Sequence, residues 1–205
     1  AEVALHDPRH FRARNLLADA ISAIGPLATE TDWPWPEPRL SYANAALPEA
    51  LIAAGDALER PEVTEDGLTL LRWLLDRETL DGHLSPTPVG GAGRGDGSPR
   101  FDQQPIEVAA LADACARAQA VTGDDAWRRG VDLSIRWFAG DNDCGAVMWD
   151  PETGGGYDGL TATGPNLNQG AESTLALIST LQHAQRAEDA EPRVAPLSGL
   201  NWSAD

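Results

Sequence analysis

The sequence contains no lysine. All 15 of its basic residues are arginine, set against 32 Asp and Glu, and the formal net charge is −17. Without a lysine amine, Schiff-base chemistry is excluded. The sign of the charge excludes a nucleic-acid partner, because phosphate binding needs clustered cations. Cysteine is scarce as well: Cys115 and Cys144 are the two in 205 residues, too few for a disulfide framework. Cys115 lies in an alanine-rich run and reads as a small buried hydrophobe, and reduced thiols fit a cytoplasmic protein. The four histidines, His6, His10, His83 and His183, lack metal-ligand spacing, so no metal or other cofactor is expected. No apolar run is long enough to span a bilayer, so no membrane partner is expected either. The opening Ala1-Glu2-Val3 does not read as a signal peptide. The glycine cluster at 90–97 follows no strand pattern and has no phosphate-binding lysine, which rules out a nucleotide loop.

What is present is helical periodicity. Asp7-Pro8 reads as a helix start, followed by Leu16, Leu17, Ala20, Ile21 and Ile24, and Gly25-Pro26 as its stop. Further helices are expected from about Tyr42 to Gly55, Pro61 to Glu78, Gln104 to Thr122, Asp124 to Ala139 and Asn168 to Arg186. Pro48 is compatible with its helix only in the first turn. No segment shows sustained strand alternation, although Cys144 to Trp149 suits a short hairpin. Residues 1–186 are therefore expected to form one all-α domain, and 187–205 a loose acidic tail.

The helices that begin near Tyr42, Gln104 and Asn168 follow long loops, while the helices between them follow short turns. The repeat is roughly 60 residues, a helix–turn–helix unit that must stack on its neighbours to bury its faces. About three such pairs are expected, a partial toroid with every long loop at one end and apolar surface on the open side of the last pair. A homodimer, a missing segment or a partner protein would complete the ring.

The loops carry chemistry suited to sugars. Aromatic rings pack on the C–H faces of pyranoses, and amides and carboxylates pair with hydroxyls. Trp33, Trp35, Glu37, Tyr42, Asn44, Gln103, Gln104, Glu107, Tyr157, Asn168 and Gln169 are the expected substrate-binding residues. Glycoside cleavage needs two carboxyl groups flanking one bond. Asp102 and Glu172 are the expected acid and base, with Asp158 as substitute for either. The structural alternatives are helix caps for Asp102 and Glu172, and a rigid packing strap for the Trp-Pro alternation.

Three segments taken in order carry a resemblance: Trp33-Pro34-Trp35 with Leu40-Ser41-Tyr42-Ala43-Asn44-Ala45-Ala46-Leu47-Pro48-Glu49-Ala50-Leu51; Phe101-Asp102-Gln103-Gln104-Pro105-Ile106-Glu107; and Thr153-Gly154-Gly155-Gly156-Tyr157-Asp158-Gly159-Leu160 with Asn168-Gln169-Gly170-Ala171-Glu172-Ser173. Over about residues 10–186 the chain resembles the α/α-toroid (six-hairpin-like) region found fused to, or encoded beside, group-one retaining glycosyltransferases in bacteria and archaea. The resemblance implies an α/α-toroid fold, a carbohydrate context and a glycosyltransferase as partner. It implies no settled catalytic residues. A domain acting on glycosidic bonds, hydrolase- or phosphorylase-like, is the leading expectation. The alternatives are a non-catalytic glycan-binding module and a sugar epimerase or isomerase. The last is disfavoured because no histidine falls in the three segments.

Overall fold

The computed structural model describes residues 1–28, 30 and 32–190, with 187–190 as helical backbone. Seven helices carry the described part: α1 (Glu2–His6), α2 (Phe11–Ile24), α3 (Ala46–Leu58), α4 (Pro61–Arg77), α5 (Pro105–Thr122), α6 (Arg128–Phe138) and α7 (Ala171–Ala190). Six strands of two or three residues form three antiparallel ladders in the loops. These pair β1 (Arg39–Leu40) with β4 (Ala92–Gly93), β2 (Thr79–Leu80) with β3 (His83–Leu84), and β5 (Gly159–Thr161) with β6 (Gly164–Asn166). The mostly α-helical expectation holds. No described helix is long and apolar enough to cross a membrane.

Several boundaries differ from the sequence expectation for local reasons. Asp7 closes α1 instead of opening α2, its N–H donating to the Val3 carbonyl at 2.9 Å. The cap of α2 is His10, whose Nδ1 accepts from the Ala13 N–H at 3.2 Å. α3 begins at Ala46, not Tyr42, because Ala43 is left-handed with φ 46° and interrupts any earlier turn. α7 begins at Ala171 because the Asn168 carbonyl accepts from the Asp158 N–H at 2.9 Å, which commits Asn168 to the loop. α7 also runs past residue 186 to Ala190. Residues 191–205 of the expected tail lie outside the described residues. Cys144 to Trp149 forms no strand, Trp149 making only a single bridge to Gly156, and the short hairpins form instead from β2 with β3 and from β5 with β6.

α5 is the central helix, touching α3, α4, α6 and α7. Its buried Ala109, Ala112, Ala114 and Ala118 explain how four helices approach one axis closely. α3 and α4 form one antiparallel hairpin and α5 and α6 another, while α2 packs on α3. α7 buries Ser173, Ala176, Leu177 and Thr180. Its Leu175, Ile178 and Leu181 remain exposed, at 64%, 45% and 45%. Apolar surface thus lies on the open side of the last helix.

The α3–α4 crossing depends on two glycines. A Cβ on Gly67 would stand 2.9 Å from both the Ile52 nitrogen and the Pro48 carbonyl oxygen, and one on Gly55 would stand 2.5 Å from the Thr64 nitrogen. These are backbone atoms and cannot swing aside. In a free helix, Gly→Ala would stabilise by up to about 1 kcal/mol, but overpacking here costs about 1–3 kcal/mol. Gly67→Ala is therefore expected to lower the unfolding free energy by about 1–2 kcal/mol in a urea titration. Unchanged or raised stability would mean that the two helices are not in backbone contact at this point.

Candidate functional site

The three sequence segments meet through hydrogen bonds that cross from one segment to the next. The Glu107 carboxylate, buried in the first turn of α5, accepts from the Ala43 N–H at 2.5 Å and from the Asn44 N–H and Nδ2 at 3.1 Å each. Tyr42 then projects outward, its phenol donating to Glu172 Oε2 at 2.9 Å. That bond ties the first segment to the start of α7 and raises the Tyr42 pKa, since loss of the phenol proton would forfeit it. The second and third segments are joined by a reciprocal backbone pair, Gln103 N–H to the Leu160 carbonyl at 2.9 Å and Leu160 N–H to the Gln103 carbonyl at 2.8 Å.

Of the expected catalytic carboxyls, Asp158 has a different task. It accepts from the Ser173 hydroxyl at 2.6 Å, from the Gly170 N–H at 2.7 Å and from Asn168 Nδ2, so it caps α7 from across the loop. The Ser173 bond, with the Gly170 and Asn168 bonds, holds its pKa below the usual carboxylate range. Gly156, at the end of the Gly-rich run before it, serves the same packing. A Cβ on Gly156 would stand 2.6 Å from the Ser173 carbonyl oxygen, and one on Gly170 would stand 2.6 Å from Asp158 Oδ1. Asp102 and Glu172 are both solvent-exposed. The Asp102 carbonyl accepts from the Val89 N–H at 2.8 Å.

Several expected substrate-binding residues are structural. Trp33 and Trp35 are buried, at 4% and 3%, against Trp73, with ring centroids 5.1 and 5.9 Å away. The Arg77 guanidinium lies 5.0 Å from the Trp33 ring, and Trp33 Nε1 donates to the Glu37 carbonyl at 2.8 Å. Prolines on either side make this loop a strap, so its rings turn to the core instead of to a ligand. Gln103 is fully buried. Its Oε1 accepts from Trp137 Nε1 at 3.3 Å, while its Nε2 donates to Asp143, whose other oxygen meets His83 Nε2 at 2.9 Å. Asn44 is buried on Glu107. Tyr157 is half-buried against the core and Gln104 half-buried at the start of α5. Glu37, Asn168 and Gln169 are exposed, and Gln169 Nε2 donates to Asp150 Oδ2 at 2.9 Å.

Sequence reasoning missed Glu78. It ends α4, only 3% exposed, and its Oε1 accepts from the Thr87 N–H at 2.9 Å and the Thr87 hydroxyl at 2.5 Å. Burial pushes its pKa up to about 7, and the nearby Glu107 charge adds to the rise. Periodicity gives a glutamate at a helix end no distinguishing mark, so no local signal separated it from a solvated one. Among the described residues no group of three or more His, Cys, Asp or Glu could hold a metal ion. No protein-family model matches the chain, and no curated protein matches it.

Two outcomes follow from these carboxyls. Asp158→Asn should cost about 1 kcal/mol, the worth of a helix cap, read as a lower urea midpoint. An unchanged midpoint would dissociate Asp158 from the start of α7. Glu78 acts oppositely with pH. Its folded pKa lies above the ordinary 4.5, so the folded state holds the proton more tightly. The resulting stability is complete below about pH 4.5 and is lost as pH rises to about 7. The difference amounts to about 3 kcal/mol. Glu78→Gln should flatten the decline in stability between pH 5 and pH 8, and parallel profiles for the two proteins would contradict the assignment.

Proposed function

We propose that this chain is a partial α/α-toroid-like domain that binds carbohydrate at the loop end of α3, α5 and α7, serving glycan metabolism as an accessory module of a glycosyltransferase. The observation that supports it is the set of cross-segment bonds at that end, Tyr42 to Glu172 above all, which brings an exposed phenol, carboxyls and amides together. Tyr42, Asp102, Glu172, Asn168 and Gln169 are the exposed groups of this face. They offer a sugar both donors and acceptors. The exposed Leu175, Ile178 and Leu181 are the side on which a further helix hairpin or a second copy would pack.

A non-catalytic role is favoured over bond cleavage by what the carboxyls already do. Glu107 and Asp158 each take three donors, and Asp102 and Glu172 lack the burial that a general acid needs. Cleavage by Asp102 and Glu172, hydrolytic or phosphorolytic, remains the second reading, supported by their exposed positions on adjoining segments. A glycan-array screen of the purified chain is the test, followed by incubation of each hit and analysis of products. The proposal expects binding without product, weakened about tenfold, or about 1.4 kcal/mol, by Tyr42→Phe combined with Glu172→Gln. Product formation abolished by Asp102→Asn or Glu172→Gln would establish the second reading. An array without hits would reject both.

A further inference from the structure

Beside this face lies a recess that neither reading uses. The segment from Ser85 to Val89 separates it from Asp102: Val89 bonds to the Asp102 carbonyl on one side, and Pro88 bridges Gln103. Glu78, Thr87, Asp96, Ser98, Arg77 and Arg100 line its interior and rim, and it holds about one water-sized group. Glu78 forms its floor. Both Thr87 donors converge on Oε1, and no donor among the described residues reaches Oε2. The one sealed side-chain polar atom without a hydrogen-bond partner among those residues is Arg117 Nε. Oε2 is therefore not sealed, and it is the part of Glu78 open to the recess.

Among the described residues neither neighbouring cation forms an ion pair with Glu78, and Arg77 offsets its charge only in part, through space. Arg77 directs Nη2 to the Gly93 carbonyl at 2.8 Å and the Asp96 carbonyl at 3.3 Å, and its guanidinium faces the Trp33 and Trp73 rings. Arg100 pairs with Asp96 at 2.5 Å. Both guanidinium groups are thus engaged by groups of the protein itself and Glu78 is only part-ionised near neutral pH, which favours a neutral occupant over an anion or a cation. A hydroxyl has the right size, and it both donates and accepts. A carboxyl half-protonated near neutral pH offers it the same pair of roles.

We propose that the recess is a subsite for a single sugar hydroxyl or hydroxymethyl group, hydrogen-bonded to Glu78 Oε2, with Ser98 at its mouth. The subsite deepens the carbohydrate-binding reading and rests on it. It also makes Glu78 a ligand-contacting residue of the domain.

The test uses the full chain with the methyl α- and β-pyranosides of glucose, mannose and galactose as probes, followed by saturation-transfer NMR. Gly97 lines the recess and nothing stands within 4 Å of its Cβ position, so Gly97→Phe adds a ring at the recess rim without a Cβ clash. The bound glycoside should weaken on the order of tenfold or more in Gly97→Phe. Glutamate labelled with 13C at the side-chain carboxyl supplies a second readout that does not depend on that variant folding. The Glu78 resonance, identified by its loss in Glu78→Gln, should shift on glycoside addition and titrate at a different pH. If a glycoside binds, Tyr42→Phe with Glu172→Gln weakens it, and neither Gly97→Phe nor the Glu78 resonance responds, the subsite is wrong and the carbohydrate reading stands. If no glycoside binds and the glycan array is empty, both fail.

Discussion

The solvation of buried carboxylates by donors from other segments is the interaction on which the loop end of this molecule depends. A carboxylate taken out of water costs several kcal/mol unless donors replace its hydration. In a chain with 32 acids and no lysine, those donors are mostly not cations. Glu107 is held by backbone and side-chain amides of Ala43 and Asn44, and Glu78 by both donors of Thr87. Asp143 is held by Gln103 and His83. Each acid belongs to one loop or helix end and its donors to another; the Glu107 and Asp143 bonds join segments 40 or more residues apart, and the Glu78 bonds fold the loop after α4 back onto the helix end nine residues away. The long loops are positioned by these bonds more than by their short β-ladders.

The same constraint explains the residue types in the loops. Gly156 and Gly170 give close approach around the Asp158 cap, where a side chain would displace Ser173 or Asp158 itself. The Trp33–Trp73 packing, with Arg77 over both rings, anchors the strap that leads into Tyr42. From there the chain turns through left-handed Ala43, where the donors to Glu107 begin. Packing at one end of the strap thus aims the phenol at the other.

Helical periodicity made the five long helices from α3 onward legible, because apolar spacing at i, i+3 and i+4 is a local property of the sequence. Trp127 and Trp137 occupy apolar positions of that spacing and are buried. Helix starts were less legible. Tyr42 and Asn168 stand several residues outside their helices because a left-handed turn and a cross-loop bond, respectively, determine where the first turn forms. The convergence of the three segments was readable from their repeat. The division of labour among their polar residues was not: a Gln, an Asp or a Trp has one identity in sequence, whether it faces a ligand or a partner in the core. Gln103 and Trp35 turned inward and Tyr42 outward, a distinction set by tertiary contacts from segments up to 130 residues away.

Capping and catalysis compete for the same lone pairs. A carboxylate that already accepts from Gly170, Ser173 and Asn168, as Asp158 does, is stabilised as an anion. Protonating it to serve as an acid would break the bonds that begin α7. Glu107 also takes three donors at the start of α5, but its deeper burial outweighs them and holds its pKa above the usual carboxylate range. Glu78 differs in that its donors occupy only one oxygen; burial outweighs those bonds and the through-space charge of Arg77, and its proton is retained toward neutral pH. Among the buried carboxyls of the loop end, only one whose second oxygen is left over can meet a ligand without loosening a helix. That condition separates Glu78 from the acids that the motifs made conspicuous.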